Sequence, residues 1–165
     1  MKYVIVILLS WALVFSLPSC AKQQEYRDDV SCETLMNSLE KIIPLEYGYG
    51  TYGEEHIAFY FEETALPDDL CLRYSITAED INEVGVFHTQ TKEEQRELVK
   101  LTEAYLEGLR QEKTAFIGSY APEELPKLSG SEVKCFGNYT VYAILSEEDR
   151  EEIFDQAEDI LSLGD

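Results

Sequence analysis

The sequence predicts an α+β domain in two layers, an antiparallel sheet built from two hairpins with helices packed on one face. Three observations carry that expectation. Leu72, Tyr74 and Ile76 alternate with polar neighbours, and after a turn at Ala78-Glu79-Asp80 a second extended run spans Glu83 to Thr89. Val133 to Phe136 and Tyr139 to Leu145 repeat the pattern around Gly137-Asn138, a two-residue turn suited to residues that tolerate positive φ. Between and after these pairs, apolar residues recur at helical rather than alternating spacing. Hairpins form antiparallel ladders and cannot bury their apolar faces alone, so helices must cover them.

The chain opens on a segment that belongs to export rather than to the fold. Lys2 supplies a positive charge, Tyr3 to Phe15 are almost wholly apolar, and Leu17-Pro18-Ser19 lead into Cys20. That order of charge, apolar run and small-residue end is what a secretory signal requires. Its ending resembles the lipobox of bacterial lipoproteins, which implies that the Cys20 thiol is acylated and becomes the mature N-terminus. Pro18 stands where that motif has a small residue. Tyr3 to Leu17 is shorter than the roughly 20 residues needed to cross a hydrocarbon core. The expected organisation is a lipoprotein signal peptide over 1–19, lipidated Cys20 and a flexible polar tether over 20–30, and one domain over 31–165. The expected address is the outer face of a cell membrane, held by the acyl chains.

Within the domain, Ser31 caps a first helix whose stripe is Leu35, Met36, Leu39, Ile42 and Ile43, with Val30 as its hydrophobic staple and Pro44 as its stop. Residues 45–53 read as a glycine–tyrosine loop. Ile57, Phe59 and Phe61 alternate over Glu54 to Glu63, a run too short to decide between strand and helix. After the first hairpin, Thr91 and Glu94 form a capping box, and Leu98, Leu101, Tyr105, Leu109 and Phe116 mark the buried face of a long helix to about Gly118. Pro122 with Glu123 and Glu124 suits the start of a short helix. The last helix opens at Ser146, with Asp149 as its box partner, and turns Ile153, Phe154, Ala157, Ile160 and Leu161 inward.

Composition narrows function. The chain carries 13 basic and 33 acidic side chains, a formal charge of −20. Lys2 is the one charged residue of the leader, so the rest carries −21. Such a charge opposes phosphate backbones and anionic headgroups and argues against a nucleic-acid partner. Besides Cys20, the cysteines Cys32, Cys71 and Cys135 lie at long spacings without a CxxC or Cys/His pattern, which argues against zinc. Three thiols cannot all pair within one chain, and burial as small apolar residues is the expected fate.

Three segments resemble one family: Glu83-Val84-Gly85-Val86-Phe87, the long-helix ending Ser119-Tyr120-Ala121-Pro122-Glu123-Glu124, and Gly137-Asn138-Tyr139 before the last strand. In that order, over residues 31–162 and behind a lipobox, the chain is similar to the bacterial lipoprotein family called domain of unknown function 4358. The resemblance implies a fold and an extracytoplasmic address. It supplies no catalytic residue, because the family has no assigned activity. Tyr105 stands where that family often has an arginine.

No GxSxG, P-loop, HExxH or GxGxxG occurs. Of the two histidines, His56 lies among Glu54, Glu55 and Glu62, where an ion pair explains it, and His88 is expected at a wet sheet edge. Glu62-Glu63 with Asp68-Asp69, and Glu147-Glu148-Asp149 with Glu151-Glu152, invite calcium, but neither forms an EF-hand loop. The second cluster reads as negative charge at a helix start. No catalytic residue, cofactor or metal is assigned. The functional expectation is a lipid-anchored, non-enzymatic binding or interaction module facing a protein or cell-wall partner, with Tyr47, Tyr49 and Tyr52 as candidate contacts. A cation- or small-ligand-sensing lipoprotein and an envelope hydrolase of unfamiliar type are the alternatives.

Overall fold

A computed structural model describes residues 24–43, 48–51, 66–77 and 80–164. Within them, five strands make one antiparallel sheet: β1 (Tyr49–Thr51), β2 (Asp69–Ser75), β3 (Glu83–His88), β4 (Glu132–Phe136) and β5 (Tyr139–Ile144). The spatial order is β1-β2-β3-β5-β4. Both expected hairpins form, and β3 joins them by pairing with β5. Four helices accompany the sheet: α1 (Cys32–Leu39), α2 (Lys92–Tyr120), α3 (Leu125–Ser129) and α4 (Glu147–Leu161), with a 3-10 turn at Pro122–Glu124. The fold is α+β, as the sequence predicts. The leader expected over 1–19, Cys20, Pro44, Tyr47, Tyr52, the 54–63 run with His56, and Ala78-Glu79 lie outside the described residues.

Helices cover both faces of the sheet rather than the one expected. α1 and α4 pack on the face that carries Val84 and Val86 of β3 and Tyr139, Val141 and Ala143 of β5. α2 packs on the opposite face, against Leu72, Phe87, Tyr142 and Ile144. The physical reason is in the strands themselves. Every residue of β5 is buried, and β3 is buried from Glu83 to Phe87. Strands apolar in both directions need a layer on each side.

The helix ends follow from local chemistry. Ser31 Oγ accepts the Thr34 N–H at 3.2 Å, and the buried face of α1 is Cys32, Leu35, Met36 and Leu39. α1 stops at Leu39, short of the expected Ile43, because the next carbonyl bonds tighten into turns from Leu39 to Ile42 and Ile43. At α2 the capping box closes both ways: Glu94 N–H donates to Thr91 Oγ1 (3.2 Å), and Thr91 N–H donates to Glu94 Oε2 (3.0 Å). Phe116 is 59 % exposed, contrary to expectation, and Ile117 is buried instead. The last turns of α2 face the Pro122–Ser129 segment that folds back on them, where Leu125 lies beside Gly118. α4 begins at Ser146, whose Oγ accepts the Asp149 N–H at 3.2 Å.

Residues 24–30 are docked, not a loose tether. Tyr26 bridges Ser162, its ring meets Phe136 edge-on, and Arg27 N–H donates to Leu161 O at 2.8 Å. The Val30 N–H donates to the Tyr139 hydroxyl at 3.0 Å, and that hydroxyl donates to the Val30 carbonyl at 2.7 Å. The β4–β5 turn places Gly137 at φ +59°, where a side chain is strained and a Cβ would come within 2.7 Å of Tyr26. The Tyr49–Thr51 part of the expected glycine–tyrosine loop is strand β1, at one edge of the sheet.

Candidate functional site

Glu83 begins the central strand, and the pleat turns it, with Gly85 and Phe87, toward α2. It is 6 % exposed. Tyr105, halfway along α2, donates its hydroxyl to Glu83 Oε1 at 2.8 Å, and Tyr142 on β5 donates to the same oxygen at 2.5 Å. The Tyr142 ring lies across the strand on Gly85, where an added Cβ would run into it. Phe87 stacks beside that ring at 6.1 Å and Tyr105 meets it edge-on at 6.0 Å. Gly85 is therefore the seat of an aromatic ring, and the ring in turn aims a phenol at the carboxylate. A buried carboxylate costs several kcal/mol unless donors surround it, so this arrangement is built rather than incidental.

Glu83 and Tyr105 form part of the wall of a cleft of about 590 Å³ between the β2–β3 end of the sheet, the second half of α2 and α3. Leu109, Ile117, Leu128 and Ile144 supply apolar walls, and Phe116 stands at the mouth with its ring 4.7 Å from that of Tyr120. One lip is pinned by charge. Lys127 reaches Glu124 at 2.8 Å and Asp80 at 3.2 Å, and Glu124 also accepts the Ile81 N–H. Burial works to lower the Lys127 pKa, but the two carboxylates outweigh it and the net direction is up. A cavity of a few hundred Å³, apolar with a few convergent polar groups, is the usual form of a small-ligand site.

A second buried charge sits on the opposite face. Arg73, also 6 % exposed, meets Glu40 at 2.5 Å, Glu33 at 2.8 Å and Cys71 Sγ at 2.9 Å. Tyr49 joins this cluster: its hydroxyl donates to Glu40 at 2.8 Å and its ring lies 5.2 Å from the Arg73 guanidinium. Of the three candidate contact tyrosines, the described one thus belongs to an ion-pair cluster on the α1 face, away from the cleft. Burial first, and then the Glu33 carboxylate, pushes the Cys71 thiol up to about 12. Burial also raises Cys32, followed by Asp69. Cys32 and Cys71 are buried free thiols, as expected; Cys135 is exposed, because β4 is an edge strand.

His88 closes the far end of β3, in the middle of the sheet rather than at its edge, and only 11 % of its side chain is exposed. It stacks on Tyr139 at 4.5 Å and reaches Asp28 at 2.7 Å, with Asp69 at 3.9 Å. Both Asp69 oxygens accept the Cys32 N–H at the start of α1. Beside His88 a cleft of about 470 Å³ is rimmed by Asp68, Glu93, Glu94 and Glu97. Among the described residues, no group of three or more His, Cys, Asp or Glu side chains is arranged to hold a metal ion, and no helix is long and apolar enough to cross a membrane. The acidic start of α4 serves as the helix end it was read as, with Ser146 and Asp149 bonded to each other at 2.5 Å.

Sequence reasoning did not single out Glu83, Tyr142 or the cleft. The available signal was one charged residue heading an otherwise apolar strand, and a tyrosine on the inner stripe of a long helix. No protein-family model, curated protein or solved structure matches the chain.

Proposed function

We propose that this chain is a lipid-anchored extracytoplasmic binding domain that takes a small ligand, or one residue of a larger one, into the cleft walled by Glu83, Tyr105 and α2. The order of charge, apolar run and Cys20 at the start of the chain supports the anchor. The observation that carries the binding role is the cleft itself: apolar walls enclosing a 6 %-exposed carboxylate that two phenols hold in place. Positioned acceptors on a rigid strand and helix are what recognition requires. The contact residues proposed here are those of the cleft; of the three candidate tyrosines Tyr49 alone is among the described residues, and it lies on the opposite face of the sheet.

A cleft-filling variant tests this reading. Leu109 is partly buried against the α2-face core, so Leu109→Trp enlarges a side chain at the open wall. Ligands that bind the folded state raise the melting temperature in proportion to RT ln(1 + [L]/Kd). A thermal-shift screen of small amphiphiles should find ligands that stabilise the wild type and not Leu109→Trp, with near-UV circular dichroism unchanged between them. Equal shifts in both proteins would contradict the reading. Incorporation of labelled palmitate that is lost in Cys20→Ser is the matching outcome for the anchor.

A further inference from the structure

We propose that the cleft holds the uncharged hydrocarbon body of an amphiphile, whose polar end stays outside, past Phe116. This rests on the reading of the cleft as a binding site and adds the chemistry of its occupant. Ile81, Leu109, Ile117, Leu128 and Ile144 converge on the cleft from the approach to β3, from α2, from α3 and from β5. The carboxylates at its depth are already engaged within the protein. Glu83 accepts from Tyr105 and Tyr142, and Asp80 meets Lys127 at 3.2 Å.

A charged or hydroxylated end carried into that depth would lose its water among apolar walls, which penalise such a group. Asp80 and Glu83, bound by the protein's own side chains, call for no counter-ion from a ligand. At the mouth the conditions reverse. Glu112 and Lys113 are exposed neighbours of opposite sign on α2, so a polar end there keeps its water and meets no net charge from the pair. Phe116 and Tyr120, both exposed, stand side by side on the last turns of α2 and carry the apolar surface outward. Exposed apolar surface rimmed by polar residues marks a binding site, and hydrocarbon lying over the rings would take them out of water. Apolar along its depth and polar at one end, the cleft matches an amphiphile.

Neutral 1-alkanols from butanol to heptanol, together with 1,6-hexanediol, test the assignment by titration into the 15N-labelled wild-type protein. Each added methylene should tighten binding at the cleft amides by about three- to fourfold. The diol, which must bury its second hydroxyl or leave the cleft part-filled, should bind about tenfold or more weakly than 1-hexanol. Leu109→Trp should lose the length dependence, and the wild-type series stands as a test by itself if that variant does not fold. Affinities that ignore chain length, a diol equal to 1-hexanol, or a length dependence kept intact in Leu109→Trp would overturn the hydrocarbon assignment while leaving the cleft as a binding site. Cleft amides unmoved by every alkanol would overturn it too. If the thermal-shift screen then also finds no ligand that Leu109→Trp loses, the binding-site reading fails with it.

Discussion

Arg73 and Glu83 are equally buried and each lies one strand position from the other's cross-strand partner, yet the molecule treats them differently. Arg73 pairs across the sheet with Val84, the neighbour of Glu83, so the two charges point to opposite faces. On the α1 face, Arg73 is answered by Glu33, Glu40 and the Cys71 sulfur and is packed under Tyr49. On the α2 face, Glu83 takes hydroxyls from Tyr105 and Tyr142 and borders a cleft. A buried charge locked to opposite charges is architecture. The Glu83 carboxylate is held by hydroxyls from two different elements at the wall of a cavity, and it is this cavity that the proposed function uses.

The most severe way to break the architectural half is Arg73→Met. It leaves Glu40, itself 15 % exposed at the side chain, without its cation, and losing one partner of a buried pair costs about 3–5 kcal/mol. Urea unfolding should show that loss; a change under 1 kcal/mol would mean that the cluster is decoration. Next in size is Gly85→Ala. Its Cβ would displace the Tyr142 ring, and overpacking of this kind costs about 1–3 kcal/mol. The same variant should weaken ligand binding in the cleft, since the ring that aims at Glu83 has moved. Stability loss without any effect on binding would separate Tyr142 from the site.

Tyr105→Phe sharpens the other half. It removes one hydroxyl from Glu83 and should cost about 1 kcal/mol. Because the phenol orients the carboxylate at the cleft wall, ligands that stabilise the wild type in the thermal-shift screen should stabilise this variant less. The smallest expected effect is on acid stability. The Cys71 thiol first, and the charge of Arg73 as well, hold the Glu33 carboxyl below its usual 4.5. A depressed folded-state pKa contributes stability that is present above the unfolded value and lost as pH falls through the folded one. Wild type and Glu33→Gln should therefore differ above pH 4.5 and converge below it in denaturant titrations. Glu33 is 61 % exposed at the side chain, so the difference is small and salt-sensitive. A constant gap across the whole range would exclude the ionic origin.

Much of the frame was legible because it is local. Two hairpins, the Gly137 turn, the Thr91 box and the caps at Ser31 and Ser146 are each written in a few adjacent residues. The second helical layer was also written, in the run Tyr139 to Ile144, apolar in both phases but for Thr140, and alternation alone hides it. The docking of residues 24–30 depends on Tyr139 and Ser162, more than a hundred positions away, and polarity gave no hint of it. The site was hidden for the same reason. Glu83, Tyr105 and Tyr142 come from three elements, and only the β3–β5 pairing and the rotation of α2 make them meet. Tyr49 shows the converse: a tyrosine among glycines that is 40 % exposed, yet whose ring and hydroxyl are engaged with Arg73 and Glu40.

The two ends of β3 supply the most direct test, since Glu83 and His88 border separate clefts. Amide shifts of the 15N-labelled wild type should be mapped as an amphiphile that stabilises it in the thermal-shift screen is added. Perturbations gathered at Glu83, Tyr105, Leu109 and Ile144 are the predicted result. Shifts centred instead on Asp69, His88 and Glu93, or scattered over the acidic surface, would contradict the assignment of the site.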